Sequence, residues 1–150
     1  MKKVMTHRSA RMFLSIIISS LFLLTISSCS VRKSFLTSAV VPAARGTAKV
    51  KTDNNKNYVI EINVVDLADV SRLQPSKKSY VAWVETDQNE NIKLGQLVSS
   101  SSFMSKQMKA SLETVSAYKP LRIFITAEDD SNALYPDRLT VLTTEKFKLK

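Results

Sequence analysis

One thiol and one imidazole occur among the 150 residues, Cys29 and His7. A lone cysteine closes no intramolecular disulfide, and with a lone histidine it falls short of the four ligands of a Cys/His zinc site. Carboxylates are the reactive groups that occur in clusters. Glu128, Asp129 and Asp130, with Asp137 a few residues on, form the densest of these, and closely spaced oxygen ligands on a loop are what calcium requires. The stretch has no glycine and no alternating ligand spacing, so no metal is expected; a contact for a basic partner and an ordinary solvated loop both stay open. Glu85, Asp87 and Glu90 surround a second turn, where a carboxylate pair would suit general acid–base work. Exposed turn carboxylates ordinarily stay solvated and ionised, and no catalytic residue is assigned. The serine-rich stretch 99–105 has neither a partner base nor the glycines of a nucleophile elbow.

The position of Cys29 gives it a different use. Residues 1–28 contain Lys2, Lys3, Arg8 and Arg11 and no acid, and an apolar run from Met12 to Ile26 is broken only by Ser and Thr. Basic start, short apolar segment and small residues, in that order, are the layout of a secretory signal peptide; the run is shorter than the roughly 20 residues of a membrane-spanning helix. Ile26, Ser27, Ser28 and Cys29 then resemble the lipobox of bacterial lipoproteins. The resemblance implies cleavage after Ser28, lipid on the Cys29 sulfur, acylation of the new amino terminus, and no other cofactor. Two or three acyl chains, at about 0.8 kcal/mol per buried methylene, anchor a protein stably. With Ser30 after the cysteine and no acid before Asp53, the same resemblance places the protein at the outer membrane, facing the periplasm.

Four of the 22 basic residues and none of the 13 acidic ones lie in residues 1–28, so the net charge falls from +9 to +5 without them. The histidine leaves with the same segment, which removes Ser-His and Cys-His catalysis as well. Most of the remaining lysines alternate with apolar residues, as in Lys49, Val50, Lys51, or stand singly in loops. That spacing reads as a solvated face, and no nucleic-acid partner is expected. The dense stretch from Lys146 to Lys150 reads as a solubilising tail.

The elements that would position these groups follow from two-residue alternation. Residues 29–45 show no periodicity and read as the lipidated cysteine and a flexible tether, which spans on the order of 20 Å. From 46 onward, strands are predicted at 47–52, 58–65, 80–85, 92–98, 107–115, 121–127 and 138–144, with polar turns at 53–57 and 86–91, a bulge at Gly95, and a serine loop at 99–102. Val81 and Trp83 are expected in the core, and Tyr118 is placed as a sandwich tyrosine corner. About seven short strands and no long helical segment predict an all-β fold, an immunoglobulin-like antiparallel β-sandwich over 46–150.

Tyr80, Val81, Ala82 and Trp83, then Leu94 and Gly95, then Ile125 to Glu128, a loop with Pro136, and Leu139 to Leu142 resemble the extracytoplasmic C-terminal domain of anti-sigma-K factors. The resemblance implies the same sandwich with Trp83 in its core, and a sensing or docking module. The sigma-binding domain of such factors has no counterpart in the 28 residues before Cys29, so sigma-factor inhibition is not carried over. The expected function is a lipid-anchored envelope protein, not an enzyme, whose single domain binds a protein partner of the envelope or plays a structural part.

Overall fold

A computed structural model describes residues 30–101 and 108–149. Among them nine strands run in chain order: β1 (Ser30–Ser34), β2 (Arg45–Thr52), β3 (Tyr58–Val65), β4 (Ser79–Thr86), β5 (Asn91–Gln96), β6 (Val98–Ser101), β7 (Met108–Ser116), β8 (Pro120–Glu128) and β9 (Thr140–Thr143). They form two sheets, β1-β2-β3-β7-β6 and β5-β4-β8-β9, and every pairing is antiparallel. In immunoglobulin lettering the first sheet places β2, β3, β7 and β6 at A, B, E and D, and the second places β5, β4, β8 and β9 at C′, C, F and G. The fold is therefore an all-β, immunoglobulin-like sandwich, with β1 added outside the A strand.

Alternation drives this arrangement. Ala48 and Val50 of β2, Ile60, Ile62 and Val64 of β3, Ala82 and Val84 of β4, and Ile123, Ile125 and Ala127 of β8 meet between the sheets. Each fully buried aliphatic side chain contributes about 1.5–3 kcal/mol by leaving water. The turns supply their own hydrogen bonds. At the β2–β3 hairpin the Asp53 carboxylate accepts from the amides of Asn55 and Asn57, both at 2.8 Å, while Lys56 takes a φ of 65°. At the β4–β5 hairpin the Thr86 hydroxyl accepts from the amides of Gln88 and Glu90. Gly95 has a φ of 146° where the pairing of β4 and β5 slips between Ala82 and Trp83, so the predicted bulge sits at the residue that tolerates it.

Four expectations need correction. The flexible tether predicted for 29–45 is not seen from Ser30 onward: β1 pairs with β2 over its whole length. The Phe35 amide then donates to Gly46 O of one sheet and the Leu36 amide to Thr143 O of the other. Val31 and Phe35 pack on the core, so this segment closes an edge of the sandwich. Residues 92–98 are not one strand, because the buried Leu97 carries the chain from β5 into β6 of the opposite sheet, and the expected serine loop begins as that strand. Lys146 to Leu149 is no trailing tail: Phe147 and Leu149 are buried, and the Phe147 amide donates to Leu121 O at 2.8 Å. Tyr118 is half exposed. A tyrosine hydroxyl bonded to backbone occurs elsewhere, at the start of β4, where Tyr80 donates to Ala68 O at 3.0 Å; burial, reinforced by the Asp69 charge, pushes that hydroxyl up to about 12.

Residues 1–28, Cys29 and 102–107 lie outside the described residues, and with them the predicted leader, the Ser28 cleavage point and the lipidated cysteine. Among the described residues no helix is long and apolar enough to cross a membrane.

Candidate functional site

β4 departs from simple alternation in a way that defines the candidate site. A sheet facing water on one side buries every second residue. Here all eight residues from Ser79 to Thr86 are buried. Tyr80, Ala82 and Val84 face the main core, whereas Val81 and Trp83 join Phe124 of β8 in a separate, smaller apolar cluster on the outer face of the sheet. Trp83 is thus fully buried as expected, but outside the main core. Ala133, from the β8–β9 loop (residues 129–139), packs on this second cluster.

A chain of polar contacts fixes that loop. The Trp83 indole Nε1–H donates to Thr126 Oγ1 at 2.8 Å, and the Thr126 hydroxyl donates to Glu128 Oε1. The same carboxylate oxygen accepts the Asp137 amide at 2.9 Å. Every one of these groups would otherwise leave a buried polar atom unsatisfied, at about 1–3 kcal/mol each. The Lys77 ammonium, its side chain only 9% exposed, contacts Asp129 Oδ2 at 2.7 Å and Asp137 Oδ2 at 2.6 Å and so ties both ends of the loop together. These two hydrogen bonds raise the Lys77 pKa, and its ammonium in turn holds the Asp137 carboxyl below the usual carboxylate range. Asp130 turns the loop internally, its carboxylate accepting the Asn132 amide at 2.8 Å and its carbonyl the Ala133 amide at 3.1 Å.

The four acidic residues singled out from the sequence are therefore brought together, but in different roles. Glu128 is buried inside the network, Asp129 and Asp137 share Lys77, and Asp130 shapes the turn. The second group separates. Glu85 lies on β4 and not on the exposed turn, with Lys146 Nζ 2.7 Å from one carboxylate oxygen and Arg122 Nη2 2.5 Å from the other, whereas Asp87 and Glu90 are exposed. Burial alone would raise the Glu85 pKa; the bond from Lys146 and the charges of Arg122 and Lys146 outweigh it and leave it lowered. Carboxylates held in this ionised state suit structural pairing better than proton transfer near neutral pH. Among the described residues, no group of three or more His, Cys, Asp or Glu side chains is placed to hold a metal ion.

Residues not anticipated from the sequence complete the site. Lys77 carries no sequence signal, since its partners are 52 and 60 residues away. Arg122 lies with its guanidinium 5.6 Å from the centre of the Phe124 ring. Beside the loop, Arg122, Phe124, Pro136, Asp137, Arg138 and Thr140 are among the residues that line a groove of about 410 Å³. Leu134 and Tyr135, at the loop's tip, are more than four-fifths exposed. An apolar pair inside an acidic, polar loop is a signal the sequence did contain.

In comparisons with known proteins, no family model, no curated protein and no solved structure matches this chain.

Proposed function

We propose that this chain is a bacterial lipoprotein of the cell envelope, held through lipid on Cys29 at the outer membrane and facing the periplasm, whose single sandwich serves as a non-enzymatic binding module. The observation that carries the reading is the lipobox-like Ile26-Ser27-Ser28-Cys29 that follows a basic start and a short apolar run. β1 is already paired to β2 at Ser30, the residue after that cysteine. On this reading the sandwich sits directly against the bilayer with no spacer. The pole that carries Ser30, the β2–β3 and β4–β5 hairpins and the β7–β8 turn faces the lipid. The binding part of the reading rests on the β8–β9 loop, whose carboxylates serve to brace it while Leu134 and Tyr135 stay exposed.

A second reading, a periplasmic regulatory module related to anti-sigma-K factors but without a sigma-binding domain, draws on one contact. Trp83, Thr126 and Glu128, which belong to the segments that carry that resemblance, form one hydrogen-bonded unit. Deletion of the gene would then alter transcription through a separate inner-membrane protein, whereas a docking lipoprotein leaves transcription unchanged.

Fractionation tests the anchor. The wild-type chain should label with radioactive palmitate and stay with the membrane pellet after a high-salt wash, and Cys29→Ser should do neither. A Cys29→Ser chain that pellets like wild type contradicts the proposal.

A further inference from the structure

We propose that the groove beside the β8–β9 loop is a docking site for an extended acidic segment of a protein partner, with carboxylates meeting Arg122 and Arg138 and an apolar side chain lying against Leu134 and Tyr135. The inference rests on the reading of the sandwich as a binding module and names the partner's chemistry. It inverts the alternative of a contact for a basic partner, which the sequence leaves open beside a solvated loop, for a reason in the geometry: Glu85 and Asp137 are already paired. Glu85 is 10% exposed and taken by Arg122 and Lys146, and Lys77 takes Asp137.

The cations remain accessible. Lys93 stands opposite Trp83 and therefore on the same outer face. The Arg122 side chain is 39% exposed although its Nη2 pairs with Glu85, Lys146 is exposed although it pairs with the same carboxylate, and Arg138 is exposed. Facing carboxylates from a partner would add charge-assisted contacts at the exposed parts of Arg122, Arg138 and Lys146. The apolar component is equally specific. Leu134 and Tyr135 stand on a loop already held by Lys77, Glu128 and Ala133, so a partner need not bear the cost of ordering it. Tyrosine on a rigid support is a common source of binding energy at interfaces.

An anionic bilayer offers the same charge, but the geometry favours a peptide. Arg122 and Phe124 line the groove from β8, and Pro136, Asp137 and Arg138 line it from the loop, so the charge is presented in a concavity between two elements. Asp129 and Asp130, at the start of the same loop, would also face the anionic lipid.

The test is a titration of the isotope-labelled full chain, extracted into zwitterionic micelles, with three probes: a short synthetic peptide alternating glutamate with leucine and tyrosine, its lysine-for-glutamate counterpart, and bicelles containing phosphatidylglycerol. The acidic peptide should shift the amide resonances of Arg122, Phe124, Tyr135 and Arg138 saturably, and added salt should weaken the effect. Arg138→Glu should lower the affinity about five-fold and Tyr135→Ser by roughly ten-fold, with resonances elsewhere unchanged. No shift with the acidic peptide, equal shifts with the basic one, or a response to the bicelles alone would overturn the proposal. Because palmitate labelling of Cys29 is read separately, a failure of docking is distinguishable from a failure of anchoring.

Discussion

β4 is buried on both faces of the β5-β4-β8-β9 sheet, yet the two faces are buried by different means. The inner face is closed by the opposite sheet chiefly with apolar side chains, Tyr80, Ala82, Val84, Ile123, Ile125 and Ala127. The outer face is closed by one loop. Beneath that loop Trp83, Thr126 and Glu128 are hydrogen-bonded, and Lys77 and Glu85 are in ion pairs. Apolar burial stabilises without regard to direction, whereas a buried polar chain is stabilising only while every member keeps its partner. The inner face therefore holds the fold together, and the outer face holds a loop in one position.

The largest effect that would break this comparison is on the inner face. Ile123→Ala should lower the stability by about 3 kcal/mol, read as a shift of the urea midpoint, through lost burial and the cavity left behind. On the outer face Glu128→Ala removes the acceptor of both the Thr126 hydroxyl and the Asp137 amide. It should cost about 2 kcal/mol and, unlike Ile123→Ala, should speed hydrogen exchange in residues 129–139 selectively. A double-mutant cycle of Trp83→Phe with Thr126→Val should give a coupling of about 1 kcal/mol; additive single effects would mean that the indole bond has no part in bracing the loop.

Titration separates the faces further. The Asp137 carboxyl is lowered by its bond from Lys77, so its contribution is present above the ordinary carboxylate pKa and is lost as pH falls through the depressed value. Lys77 is raised, so its contribution is complete below the ordinary lysine pKa and is lost only as pH rises through the raised value. Between those limits the clamp is intact. Amide spectra followed from pH 7 down to strongly acidic conditions should show the 129–139 loop loosening before the inner core responds. The smallest effect is expected at the tip, where Tyr135→Ser should change the stability by no more than about 0.5 kcal/mol.

How far the sequence disclosed this arrangement depends on which interaction forms each part. β3 is legible to the residue, because Ile60, Ile62 and Val64 alternate with polar or exposed neighbours and a polar turn precedes them. β1 and β6 are not. Ser30–Ser34 and Val98–Ser101 lie at opposite edges of one sheet and are joined to it by backbone pairing, which leaves little trace in side-chain pattern. The acidic cluster was visible as composition, but its roles were not, since Lys77 meets it only after the chain has folded. The burial of Trp83 is legible in the sequence, while the second cluster that buries it forms only once the loop places Ala133 over the sheet. The lysines of the C-terminal segment masked Phe147 and Leu149, whose alternation continues beside β8.

Attachment of the sandwich to the membrane through Cys29 is the central proposal, and the intact mass of the membrane-extracted protein tests it most directly. The prediction is a chain starting at Cys29, with the mass of residues 29–150 increased by that of a lipid group and an amide-linked acyl chain. A protein that retains residues 1–28, or one that starts at an unmodified Cys29, would contradict it.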